Sequence, residues 1–265
     1  MSILVAIILG LVQGLTEFIP VSSSGHLVFL HQVFGVTENG LTFDVALHIG
    51  TLGALVLYFH KDIVLLIKGI FGKNEYTKIA WLIALATIPA VISGMLLQDR
   101  AESVFRSVQL VAVNLILVAF LMLAAEWYAK RYEKKIKLKN ISTAQALAVG
   151  TAQAIAVIPG ISRSGSTITT GLFLGLDRVA ATRFSFLLGI PITFGAIVKV
   201  MTSDGAMSML DNELSMFAVG IITALFSGLF AIRFLLKFLS KHTLAVFAYY
   251  RIALGILVLV VATIN

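Results

Sequence analysis

Four apolar stretches of this chain are each long enough to cross a lipid bilayer as an α-helix, because about 30 Å of hydrocarbon requires roughly 17–25 helical residues. Two further stretches, 44–60 and 184–201, lie near the lower limit of that range. Only 12% of the residues are charged and 59% are hydrophobic, whereas a soluble domain carries about 25% charged residues. We therefore expect an all-α polytopic membrane protein with about six full transmembrane helices. The four longest stretches are 79–98, 107–128, 216–236 and 244–264.

The same composition excludes several other classes of protein. The hydrophobic content is too high for a disordered chain. The chain has no cysteine, which excludes a disulfide scaffold and any thiolate nucleophile or ligand. The N-terminal segment has neither a basic region nor a small-residue cleavage site, so we expect it to belong to the folded protein rather than to a signal peptide. With four prolines and no low-complexity linker, residues 1–265 are predicted to form a single domain.

Four shorter apolar segments cannot cross a membrane alone. Pro20 and the sequence SSSG interrupt the first two, and Pro159 and Gly160, followed by SRSG, interrupt the second two. Proline and glycine at these places break a helix and reverse the chain. The pattern predicts two broken re-entrant helix pairs. Their half-helices are predicted at 3–18, 26–36, 141–158 and 165–176.

The basic residues are distributed unevenly, which predicts the orientation of the chain because Lys and Arg favour cytoplasmic loops. The segment 129–140 contains six basic residues and one acid, and we assign it to the cytoplasm as a basic loop. Alternation of the spans adds the loops 60–78, 177–183 and 233–242 to that side, which then holds 15 of the 20 basic residues. The opposite side receives Arg100, Arg106 and Lys199 against seven acids, namely Glu38, Asp44, Asp99, Glu102, Asp204, Asp211 and Glu213.

With this orientation, the first broken pair enters the membrane from outside, and the second enters it from the cytoplasm. We therefore predict an inverted-topology repeat, with residues 1–128 as the first copy and 141–265 as the second. In such repeats, the N-termini of half-helices direct N–H groups at an anion near the midplane. A shift of 140 residues aligns Gly10 with Gly150, Gln13 with Gln153, Ser22 with Ser162, Ser24 with Ser164 and Gly25 with Gly165.

Ionisable side chains lie at both interruptions, in an otherwise apolar context. Glu17 and His26 flank the first interruption, and Arg163 lies in the second. Charged groups at membrane depth are costly and generally face one another or a wet cavity. An arginine, several hydroxyls and two helix N-termini together favour phosphate oxygens, while Glu17 and His26 offer a general base, a metal ligand or a nucleophile. The hydroxyl residues are Ser22, Ser23, Ser24, Ser162, Ser164 and Thr167.

Each of these residues also has a purely structural interpretation. The serines can satisfy backbone groups that the helix break frees. Arg163 can form a structural ion pair with Glu17, and Gln13 and Gln153 can form interhelical hydrogen bonds. The occurrence of the cluster in two inverted copies favours a functional site.

Two motifs, QGLTEFIPVSSSGH from Gln13 to His26 and PGISRSGST from Pro159 to Thr167, resemble the signature motifs of the bacterial undecaprenyl-diphosphatase family, also called the bacitracin-resistance proteins. The similarity extends to FDVALHIGT and RFSFLLGIP, and so covers essentially the whole chain. The resemblance implies a hydrolase of the bacterial plasma membrane that removes the terminal phosphate of undecaprenyl diphosphate. The product, undecaprenyl phosphate, is the lipid carrier reused in peptidoglycan synthesis, and the activity confers resistance to bacitracin.

By position in the motifs, the resemblance implies that Glu17, His26, Arg163 and Ser23 are catalytic. It also implies a divalent cation, Mg²⁺ or Ca²⁺, bound by Glu17 and Gln13. Gln13 occupies the first position of a (Glu/Gln)-x-x-x-Glu motif, and a neutral glutamine is a weaker metal ligand than glutamate. The nucleophile stays open between His26, Ser23 and water. The implied substrate-binding residues are Ser22, Ser24, Gly25, Ser162, Ser164, Gly165 and Thr167.

The expected partners are the lipid diphosphate and membrane lipid, with no nucleic acid and with a homo-oligomer left open. The topology predicts an active site that faces the external, periplasmic side. A second class of function remains, because inverted repeats with midplane anion sites are typical of transporters. The alternative is a lipid-phosphate flippase or an anion transporter, and fold alone does not separate it from an enzyme. A structural scaffold would leave Glu17, His26 and Arg163 unexplained.

Overall fold

The computed structural model describes residues 1–36, 40–103, 107–131, 135–202 and 214–264. These residues contain no strand, only an isolated bridge between Ile136 and Leu176, so the predicted all-α fold is confirmed. A short 3₁₀-helix spans Leu138–Asn140. The helices in chain order are α1 (Ile3–Phe18), α2 (Ser23–Phe34), α3 (Gly40–Tyr58), α4 (His60–Phe71), α5 (Thr77–Ser103), α6 (Val108–Ala129), α7 (Thr143–Ile155), α8 (Arg163–Phe173), α9 (Arg178–Met201), α10 (Leu214–Leu239) and α11 (Ala245–Ile264).

Among the described residues, five helices are long and apolar enough to cross a membrane, namely α5, α6, α9, α10 and α11. The four longest stretches predicted from the sequence are therefore confirmed. The span predicted to begin at residue 184 begins earlier, at Arg178, because Asp177 caps α9 by accepting the N–H of Ala180 at 2.7 Å. The sixth predicted span is the shorter apolar helix Thr42–Tyr58 within α3.

A helix that the hydropathy pattern did not indicate follows α3. The assignment of all of 60–78 to a loop is wrong, since its first part forms α4. Ile63 and Leu66 of α4 pack against the core, whereas Lys61 and Lys68 are exposed, which is the pattern of an amphipathic helix. Its Asp62 accepts a hydrogen bond from Arg183 at 2.7 Å, which joins α4 to α9.

The end of the bundle predicted to be cytoplasmic is joined by further ion pairs. Lys137 and Asp177 pair at 2.8 Å across an exposed surface, where such a contact contributes little to stability. The Glu126 carboxylate is buried, binds Arg178 at 2.5 Å and accepts the N–H of Leu244 at 2.8 Å. Glu126 therefore ties α6 to the start of α9 and to the segment before α11.

Only some of the charged residues that the topology assigns to the external side are among the described residues. Asp44 is buried in α3, with its Oδ1 atom 3.0 Å from Nε2 of His31, and Lys199 lies in the last turn of α9. Residues 132–134 of the basic loop are not among the described residues. Neither are Glu38, Arg106, Asp204, Asp211 and Glu213, nor the side chains of Asp99, Arg100 and Glu102.

Both broken helix pairs are present, as α1 with α2 and as α7 with α8. Ser22 and Ser162, which precede the returning helices, both have a φ angle of 73°, a left-handed conformation that non-glycine residues rarely adopt. Each serine caps its helix, Ser22 by accepting the N–H of Gly25 at 3.3 Å and Ser162 by accepting that of Gly165 at 3.1 Å. Equivalent positions of the two copies thus have the same local geometry.

The first helix of each copy packs against a helix of the other copy. α1 lies along α10, and α7 lies along α5. A Cβ atom at Gly10 would stand 2.4 Å from the carbonyl oxygen of Gly220, and one at Gly150 would stand 2.2 Å from that of Ala86. Both equivalent positions therefore require glycine. The division into residues 1–128 and 141–265 stays a prediction.

Candidate active site

The two interrupted turns approach each other and border one polar cavity of about 310 Å³. The N–H of Gly160 donates to Oγ of Ser24 at 3.4 Å, which links the second turn to the first. Asn114 of α6 donates to the carbonyl oxygen of Pro159 at 2.9 Å. The cavity is lined by Glu17, Ser23, Ser24, His48, Ala156, Val157, Ser162, Arg163, Ile192, Thr193 and Ala196.

Glu17, in the last turn of α1, is the carboxylate of this cavity. Its Oε1 atom lies 2.7 Å from Nη2 of Arg163, and its Oε2 atom accepts hydrogen bonds from Ser23 Oγ at 2.6 Å and Gln13 Nε2 at 3.0 Å. A buried carboxylate requires such partners to offset its lost hydration. A hydroxyl that donates to a fixed carboxylate is also the arrangement of a nucleophile with its general base.

Arg163 begins α8, and its guanidinium is held by groups of two other helices, α1 and α9. Besides Glu17, its guanidinium donates to the carbonyl oxygen of Gly189 at 3.0 Å and to the hydroxyl of Thr193, both in α9. The backbone carbonyl of Arg163 accepts from Thr167 at 2.7 Å. This fixed planar cation lines the cavity, where it can bind phosphate oxygens.

The N-termini of α2 and α8 meet at the same cavity. Because Ser22 and Ser162 bond to the third N–H of their helices, the first two N–H groups lie outside the helical hydrogen-bond pattern. They belong to Ser23 and Ser24 in α2, and to Arg163 and Ser164 in α8. Two helix N-termini facing one cavity favour an anion.

The structure divides the predicted site residues other than His26 into two groups. Glu17, Ser23, Ser24, Ser162 and Arg163 line the cavity. The remaining members of the predicted set lie behind this lining, where they hold the turns or contact Glu17. These are Gln13, Ser22, Gly25, Ser164, Gly165 and Thr167.

His26 lies apart from the cavity lining. Its Nδ1 atom is 2.7 Å from the carbonyl oxygen of Ser22, and its Nε2 atom is 2.7 Å from the hydroxyl of Tyr250, whose ring stacks on the imidazole. Both ring nitrogens are therefore engaged. Ser23 is the candidate nucleophile that contacts Glu17.

Two residues of the site were not among the predicted ones. His48 lines the cavity, with its Nδ1 atom 3.2 Å from Nε2 of Gln13 and 3.8 Å from Oε1 of Glu17. Arg251 is fully buried and donates to carbonyl oxygens of both turns, at 3.4 Å to Pro20 and at 2.8 Å to Gly160. The one signal for Arg251 in the sequence is its position inside an apolar span. Its partners could not be predicted, because they depend on how distant helices pack.

We expect Arg251→Met to destabilise the protein by about 3 kcal/mol or more, because hydrogen bonds from a charged group contribute about 1.5–3 kcal/mol each. The two turns would also lose their shared contact, so activity per folded molecule should fall. Thermal unfolding in detergent measures the first effect. Arg233→Met, at an exposed position of α10, is the control and should change neither quantity. Equal stability of the two variants would contradict the role of Arg251.

An apolar groove of about 590 Å³ adjoins the polar cavity. It runs between α5, α7 and α9, and Arg163, Ala156, Val157, Ile192 and Ala196 line both spaces. A fixed cation thus stands where a polar cavity meets an apolar groove. The fold and this site define an integral membrane protein built to bind an amphiphile with an anionic headgroup.

Comparison with known proteins specifies the class further. The chain belongs to the family described as bacitracin resistance protein BacA, whose model matches residues 6–257. Proteins named undecaprenyl-diphosphatase are similar over almost their full length. The relative from Thermodesulfovibrio yellowstonii is 44% identical over 255 residues, with 96% of this chain and 95% of that protein covered. The relative from Methanosphaera stadtmanae is 42% identical over 282 residues, with 100% and 99% covered.

Proposed function

We propose that this protein hydrolyses undecaprenyl diphosphate to undecaprenyl phosphate and inorganic phosphate. The activity recycles the lipid carrier of peptidoglycan synthesis and confers resistance to bacitracin. The printed name of the relatives supports this substrate. The observation that carries the proposal is the 2.6 Å hydrogen bond from Ser23 to Glu17 beside Arg163, because it supplies a nucleophile, its base and a phosphate-binding cation in one cavity.

The proposed reaction has two steps. Ser23 Oγ attacks the terminal phosphorus and gives its proton to Glu17, and the bond from that phosphorus to the bridging oxygen breaks to release undecaprenyl phosphate. Water then attacks the phosphoserine, the bond from phosphorus to Ser23 Oγ breaks as Glu17 returns the proton to Oγ, and inorganic phosphate leaves with both protons of the water. Arg163 and the free N–H groups of α2 and α8 bind the phosphoryl oxygens in both steps.

A divalent cation, Mg²⁺ or Ca²⁺, belongs to this proposal. The Oε1 atom of Gln13 is buried and has no hydrogen-bond partner among the described residues, and it would reach a cation held by Glu17 if the amide, whose Nε2 donates to Glu17, turned over. Glu17, Gln13 and His48 would hold the cation, a donor set of carboxylate, amide and imidazole. When bound, it would neutralise charge on the diphosphate oxygens.

The apolar groove is proposed to bind the prenyl chain, because it continues from Arg163, where the diphosphate would lie. Gly195 of α9 lines this groove, and a Cβ atom there would meet nothing within 4 Å. Gly195→Phe should therefore fold normally and fill the groove. We expect its KM for undecaprenyl diphosphate to rise about tenfold, with little change for farnesyl diphosphate.

The control for this prediction is Val113→Phe, at a half-exposed position of α6 outside the groove lining. Steady-state kinetics on both substrates measure the effect. An unchanged KM of Gly195→Phe for the long substrate would exclude the groove as the chain-binding surface.

We also propose that the protein lies in the bacterial plasma membrane with the cavity open to the external side. Ser107, before α6, and Ser240, after α10, are both exposed and lie at opposite ends of the predicted topology. In this cysteine-free chain, an impermeant thiol reagent should label Ser107→Cys and spare Ser240→Cys in intact cells. The opposite labelling would invert the orientation.

The alternative, a flippase or an anion transporter, is not favoured. A carrier needs Arg163 and the N–H groups to bind the anion, but it needs no hydroxyl bonded to a carboxylate. Phosphate release by the purified protein in detergent distinguishes the two, because detergent leaves no second compartment for transport. We expect release from undecaprenyl diphosphate and its loss on addition of a chelator. Transport in vesicles without phosphate release in detergent would support the carrier instead.

A further inference from the structure

Gln153, near the end of α7, is a buried glutamine whose amide is unused by the protein. Gln153 is only 4% exposed, and neither its Nε2 atom nor its Oε1 atom has a hydrogen-bond partner among the described residues. Leaving a buried amide unpaired is unfavourable, so native structures generally provide it with a partner. The amide of Gln153 has no such partner among the described residues, and Gln153 lines the apolar groove.

The equivalent residue of the first copy, Gln13, shows why the amide of Gln153 has no partner in the described chain. Gln13 donates to Glu17 and contacts His48. The shift of 140 residues that aligns Gln13 with Gln153 puts Val157 at the position of Glu17 and Leu188 at that of His48. Both replacements are apolar and accept no hydrogen bond. The second copy has thus kept the amide and has neither of the side chains that engage it in the first copy.

The position of Gln153 indicates which ligand atoms it can reach. It lines the apolar groove, whose wall also contains Arg163, and Arg163 in turn lines the polar cavity with Ser23 and Glu17. A prenyl diphosphate with its chain in the groove and its terminal phosphate in the cavity has its proximal phosphate between them. Gln153 lines the groove but not the cavity, so it lies on the groove side of Arg163, which lines both.

We propose that Gln153 binds the proximal phosphate of the lipid, the one that is esterified to the prenyl chain, by donating its Nε2–H to a phosphate oxygen. This inference rests on the proposed function. When the terminal phosphoryl group leaves, negative charge grows on the proximal phosphate, and the hydrogen bond strengthens. Gln153 thus makes the site specific for a prenyl phosphate ester over free phosphate.

The test is Gln153→Leu, with Gln153→Met as a second variant of similar volume. Gln145→Leu is the matched control, because Gln145 lies on the same helix but bonds to the carbonyl of Leu174 and to the N–H of Ser142. The measurements are kcat and KM for undecaprenyl diphosphate, the inhibition constants of farnesyl phosphate and inorganic phosphate, and the melting temperature in detergent.

We expect Gln153→Leu to lower kcat/KM about 10- to 100-fold, the range for a hydrogen bond to a charged group. Its inhibition constant for farnesyl phosphate should rise similarly, while that for inorganic phosphate should stay within about twofold, since farnesyl phosphate alone carries the ester. The melting temperature should not fall, because the variant removes an unpaired buried amide. Gln145→Leu should show the reverse, with a lower melting temperature and unchanged kinetics per folded molecule.

A purely structural role for Gln153 would lower the melting temperature of both variants and leave the ratio of the two inhibition constants unchanged, and this result would overturn the proposal. Stabilisation of the wild-type protein by farnesyl phosphate in thermal unfolding provides a test that is independent of turnover. Suppose that the wild-type protein released no phosphate, and that farnesyl phosphate stabilised the wild type but not Gln153→Leu. The proposed hydrolysis would then be wrong, while the binding role of Gln153 would hold.

Discussion

Replacing Ser23 by alanine is expected to lower kcat for undecaprenyl diphosphate at least about 10³-fold, because removal of a nucleophile that works with its base typically costs this much or more. The Ser23 hydroxyl donates to Glu17 at 2.6 Å and lines the cavity with Arg163. KM should change less than kcat, since the N–H groups and Arg163 still bind the phosphate. Steady-state phosphate release by the purified variant measures both constants.

Ser24→Ala is the matched comparison, because this serine lines the same cavity but bonds to Gly160 and Ser22 rather than to Glu17. We expect it to lose activity at most about tenfold, the value of one neutral hydrogen bond. Wild-type turnover by Ser23→Ala together with an inactive His26→Ala would instead identify His26 as the nucleophile.

Arg163→Lys is expected to lower kcat about 10²–10³-fold at normal expression, the range for loss of a donor to a developing oxyanion. Lysine keeps the charge but not the planar fork, which in this structure contacts Glu17, Gly189 and Thr193 at once. The inhibition constant of inorganic phosphate should rise as well. Both quantities are measured in detergent with the purified variant.

Arg183→Lys provides the control for Arg163→Lys, since Arg183 also pairs with a carboxylate, that of Asp62, but does not line the cavity. It should retain nearly full turnover. Near-normal kcat of Arg163→Lys would remove Arg163 from the chemistry and leave it as a structural partner of Glu17.

The parts of the fold that were predictable from sequence have strong local causes. Long apolar stretches specify the spans, and Pro20 and Pro159 with the following serines specify the broken pairs. α4 was missed because its mixed basic and apolar composition resembles that of a loop when hydropathy is averaged. The start of α9 was missed because one capping side chain, Asp177, decides it.

The motifs placed Glu17, Ser23 and Arg163 near the two interruptions, and the structure brings them together at one cavity, while their catalytic roles stay predictions. His26 could not be positioned from sequence, because its ring orientation depends on Tyr250, which is 224 residues away along the chain. His48 and Arg251 had the same difficulty, since each acquires its partners only when distant helices pack. Gln153 is the converse case, in which packing leaves a motif-like residue without any partner in the described chain.

Phosphate release by Glu17→Gln in detergent tests the account most directly, with Glu126→Gln as its control. Both substitutions are isosteric and both remove a buried carboxylate paired with an arginine, but only Glu17 contacts Ser23. The account predicts that Glu17→Gln loses at least about 10³-fold in kcat, whereas Glu126→Gln keeps near-normal turnover per folded molecule. Comparable turnover of Glu17→Gln and the wild-type protein would contradict it.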